Sequence, residues 1–391
     1  YNASNVGVNT VTTAVPFLLI TPDSRGGGMG DCGVASSPDA NSMHWNPAKY
    51  VMADKDFGLS MSYTPWLRQL VPDISLSYLA GYKKIGKLAA VAGSLRYFTL
   101  GSIQFTDING NAIGTYKPAE IALDAGYSQK LGANFSAGMA MRYIYSNLTN
   151  SIPLPNGTST HPGTSFAVDI AMYYLNKKIK LQEKKAEVGA GLNISNVGAK
   201  ISYTDNATPQ SKDFIPIQMR LGGSLKIHLD DYNSITFLTD LTKLLVPTPP
   251  IYARDPVTGL KIPDGNGGYE IAAGKDPYRG ITAGILGSFN DAPGGAKEEL
   301  KEINEAVGME YWYDNLIAFR MGYFHEDKTK GNRQYMTFGL GVKYSVFAID
   351  MAYLVPLSQR NPLQNTLRFS LSFDFAAMKK GDPGSSATTP N

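Results

Sequence analysis

The sequence predicts an all-β protein: a fourteen-stranded antiparallel transmembrane β-barrel behind an N-terminal plug. Three observations carry that prediction. Apolar residues recur with period two through most of the chain, the spacing at which strand side chains alternate between faces. A helical membrane span needs about 20 apolar residues, and the longest apolar run here is only Ala14–Ile20. The composition, with 40 Gly, 23 Tyr and 43% hydrophobic residues in 391, is too apolar for a disordered chain and lacks the collagen triplet.

The elements follow in chain order. Residues 1–56 are rich in Gly, Pro, Asn and Ser and show no period, so they are expected to form the plug or hatch. In the first strand Phe57, Leu59, Met61 and Tyr63 alternate with Gly58, Ser60, Ser62 and Thr64. In the second, Ile74, Leu76, Tyr78, Ala80 and Tyr82 form the apolar set, which is expected to face outward. Ile121, Leu123, Ala125 and Tyr127 repeat the pattern, as do Phe135, Ala137, Met139, Met141 and Tyr143. The last strand has Leu367, Phe369, Leu371, Phe373 and Phe375 against Arg368, Ser370, Ser372 and Asp374. Strands are expected near 57–67, 72–83, 86–99, 117–130, 133–146, 164–176, 186–203, 214–229, 232–243, 305–313, 316–326, 334–344, 346–355 and 365–375.

The face opposite the apolar one is small or singly charged rather than rich in Lys and Glu, unlike the wet face of a soluble sandwich. Aromatic residues gather near strand ends (Tyr63, Trp66, Tyr82, Tyr143, Tyr145, Tyr311, Trp312, Tyr313, Tyr323, Tyr344, Tyr353). A barrel in lipid places its aromatics there, with apolar residues outside and polar ones in the lumen. Short connections at Lys83–Gly86, Lys130–Ala133, Asp230–Asn233, Asp314–Asn315 and Ser345 alternate with longer ones. That alternation puts short turns and both chain ends in the periplasm and long loops outside. The basic run Lys177–Lys185 is expected to be a connection kept in water. The insertion 244–304 is long enough to be functional, with a short polar helix at Lys297–Glu302. Residues 376–391 form a periplasmic tail, and length alone, which suggests two or three domains, is overridden by the pattern.

Several chemistries are excluded. The net charge of +3 leaves no basic excess to displace counterions, so no nucleic-acid partner is expected. A single cysteine, Cys32, allows neither an internal disulfide nor a Cys-based zinc site. His44, His161, His228 and His325 fall in separate elements without ligand spacing, so no metal is expected. No nucleophile–base set can be assembled, and neither an enzyme activity nor a cofactor is expected. Gly28-Met29-Gly30-Asp31-Cys32-Gly33 spells the dinucleotide fingerprint but lacks the strand, helix and acid that give it meaning. Asn147-Leu148-Thr149 and Asn156-Gly157-Thr158 match glycosylation acceptors but read here as polar loop. The chain starts at Tyr1 without Met or a basic-apolar leader, as expected of a mature exported chain. By parity Asp124, Arg142, Asp169, Arg220, Lys226, Asp240, Glu310, Arg320, Lys343, Asp350, Arg368 and Asp374 point inward and are expected to pair across the lumen. They carry no single-sign bias of the kind a selectivity lining needs.

The stretch Asp39-Ala40-Asn41-Ser42-Met43-His44-Trp45-Asn46-Pro47-Ala48 resembles the hatch of FadL-type outer-membrane barrels, and Ser24–Ala35 resembles its glycine-rich lead-in. The resemblance marks Gly28, Gly30, Asp31, Trp45, Asn46, Pro47 and Ala48 as hatch residues and implies a FadL-like barrel. Three further stretches are similar to the PorV (LptO) family, the FadL-like barrels of the Bacteroidetes type IX secretion system. They are Leu192–Gly198, Ser288-Phe289-Asn290-Asp291-Ala292-Pro293-Gly294-Gly295 and Gly308–Asn315.

That likeness implies a multi-pass bacterial outer-membrane protein, bathed in outer-membrane lipid, that acts as a cargo-binding adaptor or shuttle. Its implied partners are the C-terminal signal domains of secreted proteins, a large SprA (Sov)-like translocon barrel, and a surface attachment complex with a PorU-like sortase. The insertion is the expected contact region, through Leu244, Leu245, Val246, Pro247, Pro249, Pro250 and Phe289, since an apolar, proline-stiffened segment loses little entropy on docking. A FadL-like uptake channel for long-chain fatty acids or other hydrophobic small molecules is the alternative.

Overall fold

A computed structural model of the chain describes residues 8–67, 73–106, 109–148, 159–204, 208–265, 268–358 and 363–375. The expected tail 376–391, the first seven residues and the motif Asn156-Gly157-Thr158 lie outside the described residues. Fourteen strands close into one antiparallel barrel. They are β1 Phe57–Pro65, β2 Ile74–Ile85, β3 Ala89–Leu100, β4 Ala119–Lys130, β5 Phe135–Asn147, β6 Gly163–Leu181 and β7 Lys184–Gly198, followed by β8 Gln218–His228, β9 Asn233–Leu244, β10 Ile303–Tyr313, β11 Ile317–His325, β12 Gln334–Tyr344, β13 Phe347–Pro356 and β14 Leu367–Phe375. Each pairs with its neighbours in the chain, and β1 closes on β14 with Phe57 opposite Phe375. Closure leaves no unpaired strand edge, the condition for crossing lipid with strands.

Tight turns gather at one rim, where residues in the left-handed region reverse the chain: Gly86 (φ 65°), Gln182 (φ 56°), Asp314 (φ 50°) and Ser345 (φ 57°). Such turns match the right-handed twist of the flanking strands. Long connections occupy the opposite rim. The wall's outer face is a continuous apolar belt that includes Met61, Leu123, Met141, Phe166, Ile170, Phe319, Ile349 and Phe369, with Met141 67% and Phe166 70% exposed. An apolar face of this extent is stable only against lipid.

Two expectations about the wall are corrected. In β2 the apolar set turns inward: Leu76, Tyr78, Ala80 and Tyr82 are buried, which leaves Ser75, Ser77, Leu79 and Gly81 on the outside. The reason lies in the lumen, where Phe17 and Leu18 cluster with Leu76 and Phe98 and Tyr50 stacks on Tyr82 at 5.1 Å. Trp312 likewise faces inward, with Arg320 5.6 Å from its ring. The second correction concerns Lys177–Lys185, which is not a loose connection. β6 and β7 continue as a two-stranded ribbon past the start of β5, which pairs at Phe135 with Tyr174, and they turn only at Gln182 and Glu183.

Candidate functional site: the filled lumen and the insertion at its mouth

The N-terminal segment, residues 8–56, is bonded to strands on every side, so it lies inside the barrel. The Ser24 amide donates to Ser370 on β14 (2.9 Å), Gly30 to Thr337 on β12 (2.8 Å), and Gly33 and Val34 to Asp240 on β9 (2.8 and 3.0 Å). Ser224 on β8 and Ser136 on β5 donate to the carbonyls of Ala35 (2.8 Å) and Ala48 (2.7 Å). On β3, Arg96 donates to the Leu18 carbonyl at 2.7 Å. Of its buried side-chain polar atoms only Asn41 Oδ1 and His44 Nε2 lack a partner among the described residues, as a buried irregular segment requires.

Trp45 and Asn46 form the pivot. The Trp45 indole N–H donates to Asp23 at 2.7 Å, and its carbonyl accepts from Asn193 at 3.0 Å. Asn46 donates to the carbonyls of Val34 (3.1 Å) and Met172 (2.9 Å), and its side-chain oxygen caps the Ala48 amide at 3.0 Å. Pro47 then opens a 3-10 helix, Pro47–Met52, where its missing N–H costs nothing. The glycines allow close contact: a Cβ at Gly33 would stand 2.1 Å from the Trp45 ring. Gly30 sits at φ +72° against the backbone of Tyr323, a conformation that favours glycine. Gly28 packs on Gly339, where a Cβ would lie 3.0 Å from its Cα. Asp31 pairs with Arg368 at 3.0 Å and accepts from the Tyr335 hydroxyl. The dinucleotide-like letters are therefore a packing segment.

Sequence reasoning missed several anchors in the same segment. Arg25 bridges Glu310 (2.8 Å) and Asp39 (2.9 Å). The fully buried Lys49 donates to the Gly33 carbonyl (2.8 Å) and Ser36 (2.9 Å), and burial pushes its ammonium down to about 8. Burial, aided by Asp39, raises the Asp23 carboxyl to about 6. A lone charge in an irregular stretch shows no partner in the sequence, so these anchors carry no signal there.

The inward charges pair along the wall and with the segment rather than across an open lumen. Arg142 joins Asp124 (2.6 Å) and Asp169 (3.1 Å), Arg320 joins Glu310 (2.8 Å) and Asp350 (2.6 Å), and Lys343 joins Asp374 (3.2 Å). Arg220 is different. Its guanidinium lies 4.8 Å from the Trp45 ring, and it forms no ion pair among the described residues.

At the long-loop rim the insertion between β9 and β10 is folded and pinned. Leu245 and Val246 are buried with Val15, Ile215 and Ile217, and Pro247 and Pro250 are buried too. Leu244–Pro250 is thus the inward-facing base of the insertion, with Leu244 and Pro249 half-buried, and not an apolar tip. A helix spans Ala296–Lys301, and its acids turn inward. Lys330 bridges Glu298 (2.6 Å) and Glu302 (2.9 Å), and Lys243 bridges Glu299 (3.1 Å) and Glu302 (2.6 Å). Glu299 also accepts the amides of Asp291 (2.6 Å) and Ala292 (2.8 Å), which fixes the Asp291–Gly295 turn. Glu298 holds Asn9 at 2.9 Å, tying the insertion to the N-terminal segment. Burial acts to raise the Glu298 carboxyl, but Lys330, Asn9 and the Gly294 amide outweigh it and hold it below the usual glutamate value. Outward the insertion shows Phe289 (49% exposed), Leu286 (71%) and Leu300 (69%). A groove of about 410 Å³ runs between Phe289, Leu300 and the wall residues Leu221 and Leu241.

Residues 3–251 match the family model described as type IX secretion system protein PorV. No curated protein matches the chain in sequence. Among solved structures, it is similar to the Ralstonia pickettii toluene transporter TbuX at 11% identity, covering 91% of this chain and 98% of that one, with a TM-score of 0.45. It is similar to the Pseudomonas putida toluene transporter TodX at 12% identity, covering 92% and 99%, with a TM-score of 0.48. A Pseudomonas aeruginosa FadL homologue gives 14% identity, 95% and 100% coverage, and a TM-score of 0.41.

Proposed function

Because this chain belongs to the PorV family of type IX secretion system proteins, we propose that it is the outer-membrane adaptor through which secreted cargo is docked and handed on. It binds the C-terminal signal domain of cargo at a large translocon barrel and passes the cargo to a surface complex that contains a sortase-like enzyme. The chemistry resides in that enzyme; this chain contributes binding surface. The short-turn rim, where β14 ends, faces the periplasm, and the insertion 244–304 faces outward. Asn9 bonds Glu298 and Thr329 on that outer rim, so the N-terminal side does not lie at the periplasmic rim, where the sequence places it.

One observation supports the reading above all. The lumen is occupied by a segment hydrogen-bonded to strands around the circumference, whereas the insertion is rigidly pinned yet leaves Phe289, Leu286 and Leu300 exposed. Exposed apolar side chains on an ordered loop at the long-loop rim suit protein docking. Phe289 is accordingly the contact residue, and Leu244–Pro250 is the buried base from which the insertion rises.

Deleting residues 251–295 while the barrel is retained should abolish protein secretion, read as loss of cargo from the cell surface and medium. Intact secretion with impaired fatty-acid uptake would overturn the adaptor reading and favour the uptake channel.

A further inference from the structure

A narrow shaft opens at the long-loop rim and descends into the lumen. Its upper part, about 420 Å³, is walled by Thr10–Thr13, Leu19, Leu244 and Lys330. Its lower part, about 50 Å³, ends against Arg220, with room for little beyond a carboxylate or a water or two. Leu19, Leu244, Asn304 and Arg333 line both parts and make them one passage.

Two features of this passage offer unmade bonds to a ligand: a buried guanidinium, and a stretch of partly exposed backbone. Arg220 is 7% exposed; its guanidinium donates to Gln218 Oε1 at 3.1 Å and the His44 carbonyl at 3.5 Å, and its Nε has no partner. Neither nearby lumen acid pairs with it directly: Asp31 is held by Arg368 and Tyr335, and Asp240 gives Oδ2 to the Gly33 and Val34 amides while its Oδ1 makes no hydrogen bond. A buried cation without a direct anionic contact is unfavourable. The second feature is backbone. The Asn9 amide bonds Thr329 and the Ala14 amide bonds Phe214. Between them the N–H and C=O groups of Thr10, Val11, Thr12 and Thr13 make no hydrogen bond among the described residues.

We infer that the shaft receives the free C-terminus of an extended polypeptide, whose backbone pairs with Thr10–Thr13 and whose terminal carboxylate meets Arg220. Strand addition to unpaired backbone supplies affinity independent of side chains, and a guanidinium–carboxylate contact is charge-assisted and directional. A fatty acid carries the same carboxylate. Its hydrocarbon tail would leave the open backbone and Asn304 without partners, which is costly. The inference rests on the adaptor reading and specifies which part of the cargo enters the barrel.

The test uses the full chain in nanodiscs and a purified cargo C-terminal domain in two forms, one with a free terminal carboxylate and one with a terminal amide, with decanoate as competitor. The free acid should bind about tenfold or more tightly than the amide. Arg220→Gln should erase that preference, and Arg220→Lys should restore part of it while sharing any folding defect of the first variant. Equal binding of acid and amide by the unaltered chain would overturn the inference and leave the adaptor reading standing. Displacement of the free-acid domain by decanoate would overturn it in favour of a fatty-acid site. No binding of either form would overturn the adaptor reading and this inference together.

Discussion

Trp45 is held by a different chemistry on each side. Asp23 accepts its N–H at 2.7 Å, the Arg220 guanidinium lies 4.8 Å from its ring, and His44 meets its edge at a 4.7 Å centroid separation. Gly26 and Gly33 lie so close that a Cβ on either would stand 2.3 or 2.1 Å away. Trp45→Ala should therefore cost about 3–5 kcal/mol, as truncation of a buried aromatic does, and Trp45→Phe, which keeps the ring and loses the hydrogen bond, clearly less. The readout is the temperature at which the barrel loses its compact mobility on an unboiled gel. A Trp45→Ala barrel that melts with the unaltered one would show that the lumen segment is not anchored there. The Trp-Asn-Pro-Ala letters were legible in the sequence. Asp23, Lys49 and Arg96 were not, because each takes its meaning from a partner 13 or more residues away, such as Ser36 for Lys49 or Leu18 for Arg96.

At the scale of elements, the helix Ala296–Lys301 works as a latch through its acids. Glu298 joins the Gly294 amide, Lys330 and Asn9, that is, the insertion, the β11–β12 loop and the N-terminal segment. Its carboxyl is held below the usual glutamate value, so folding favours its ionised form. The stabilisation it gives is full above the unfolded glutamate pKa of about 4.3 and is lost as pH falls through the lower folded value. Hydrogen exchange across 291–302 should thus stay slow at pH 5 and accelerate only below the ordinary glutamate range. Acceleration already between pH 6 and 5 would contradict the latch. Lys330→Ala should raise the pH of that transition, because it removes the ammonium that Glu298 and Glu302 share. Period two located all the barrel strands to within a few residues, yet it misassigned the two faces of β2. Alternation fixes which residues share a face but not which face sees lipid, and here Phe17 and Leu18 give the lumen an apolar interior of its own. Lys243 was equally unreadable: strand parity points it outward, and only the folded insertion supplies Glu299 and Glu302.

For the whole molecule the question is whether a filled barrel acts as a passage or as a platform. Fourteen strands enclose a lumen that side chains of the wall alone do not fill, and here residues 8–56 complete the packing. Closure, the apolar belt and the even strand count were visible in the sequence because lipid imposes them on every residue of the wall. Of the proposed docking surface only Phe289 was, since Leu286 and Leu300 are exposed beside it by a loop whose fold depends on distant lysines. The most direct test of the adaptor reading is quantitative affinity purification of the tagged chain from detergent-solubilised outer membranes. The account predicts that a much larger translocon barrel and cargo C-terminal domains co-purify, and that both fall away when residues 251–295 are removed. Recovery of the chain alone, from cells that secrete normally, would contradict it.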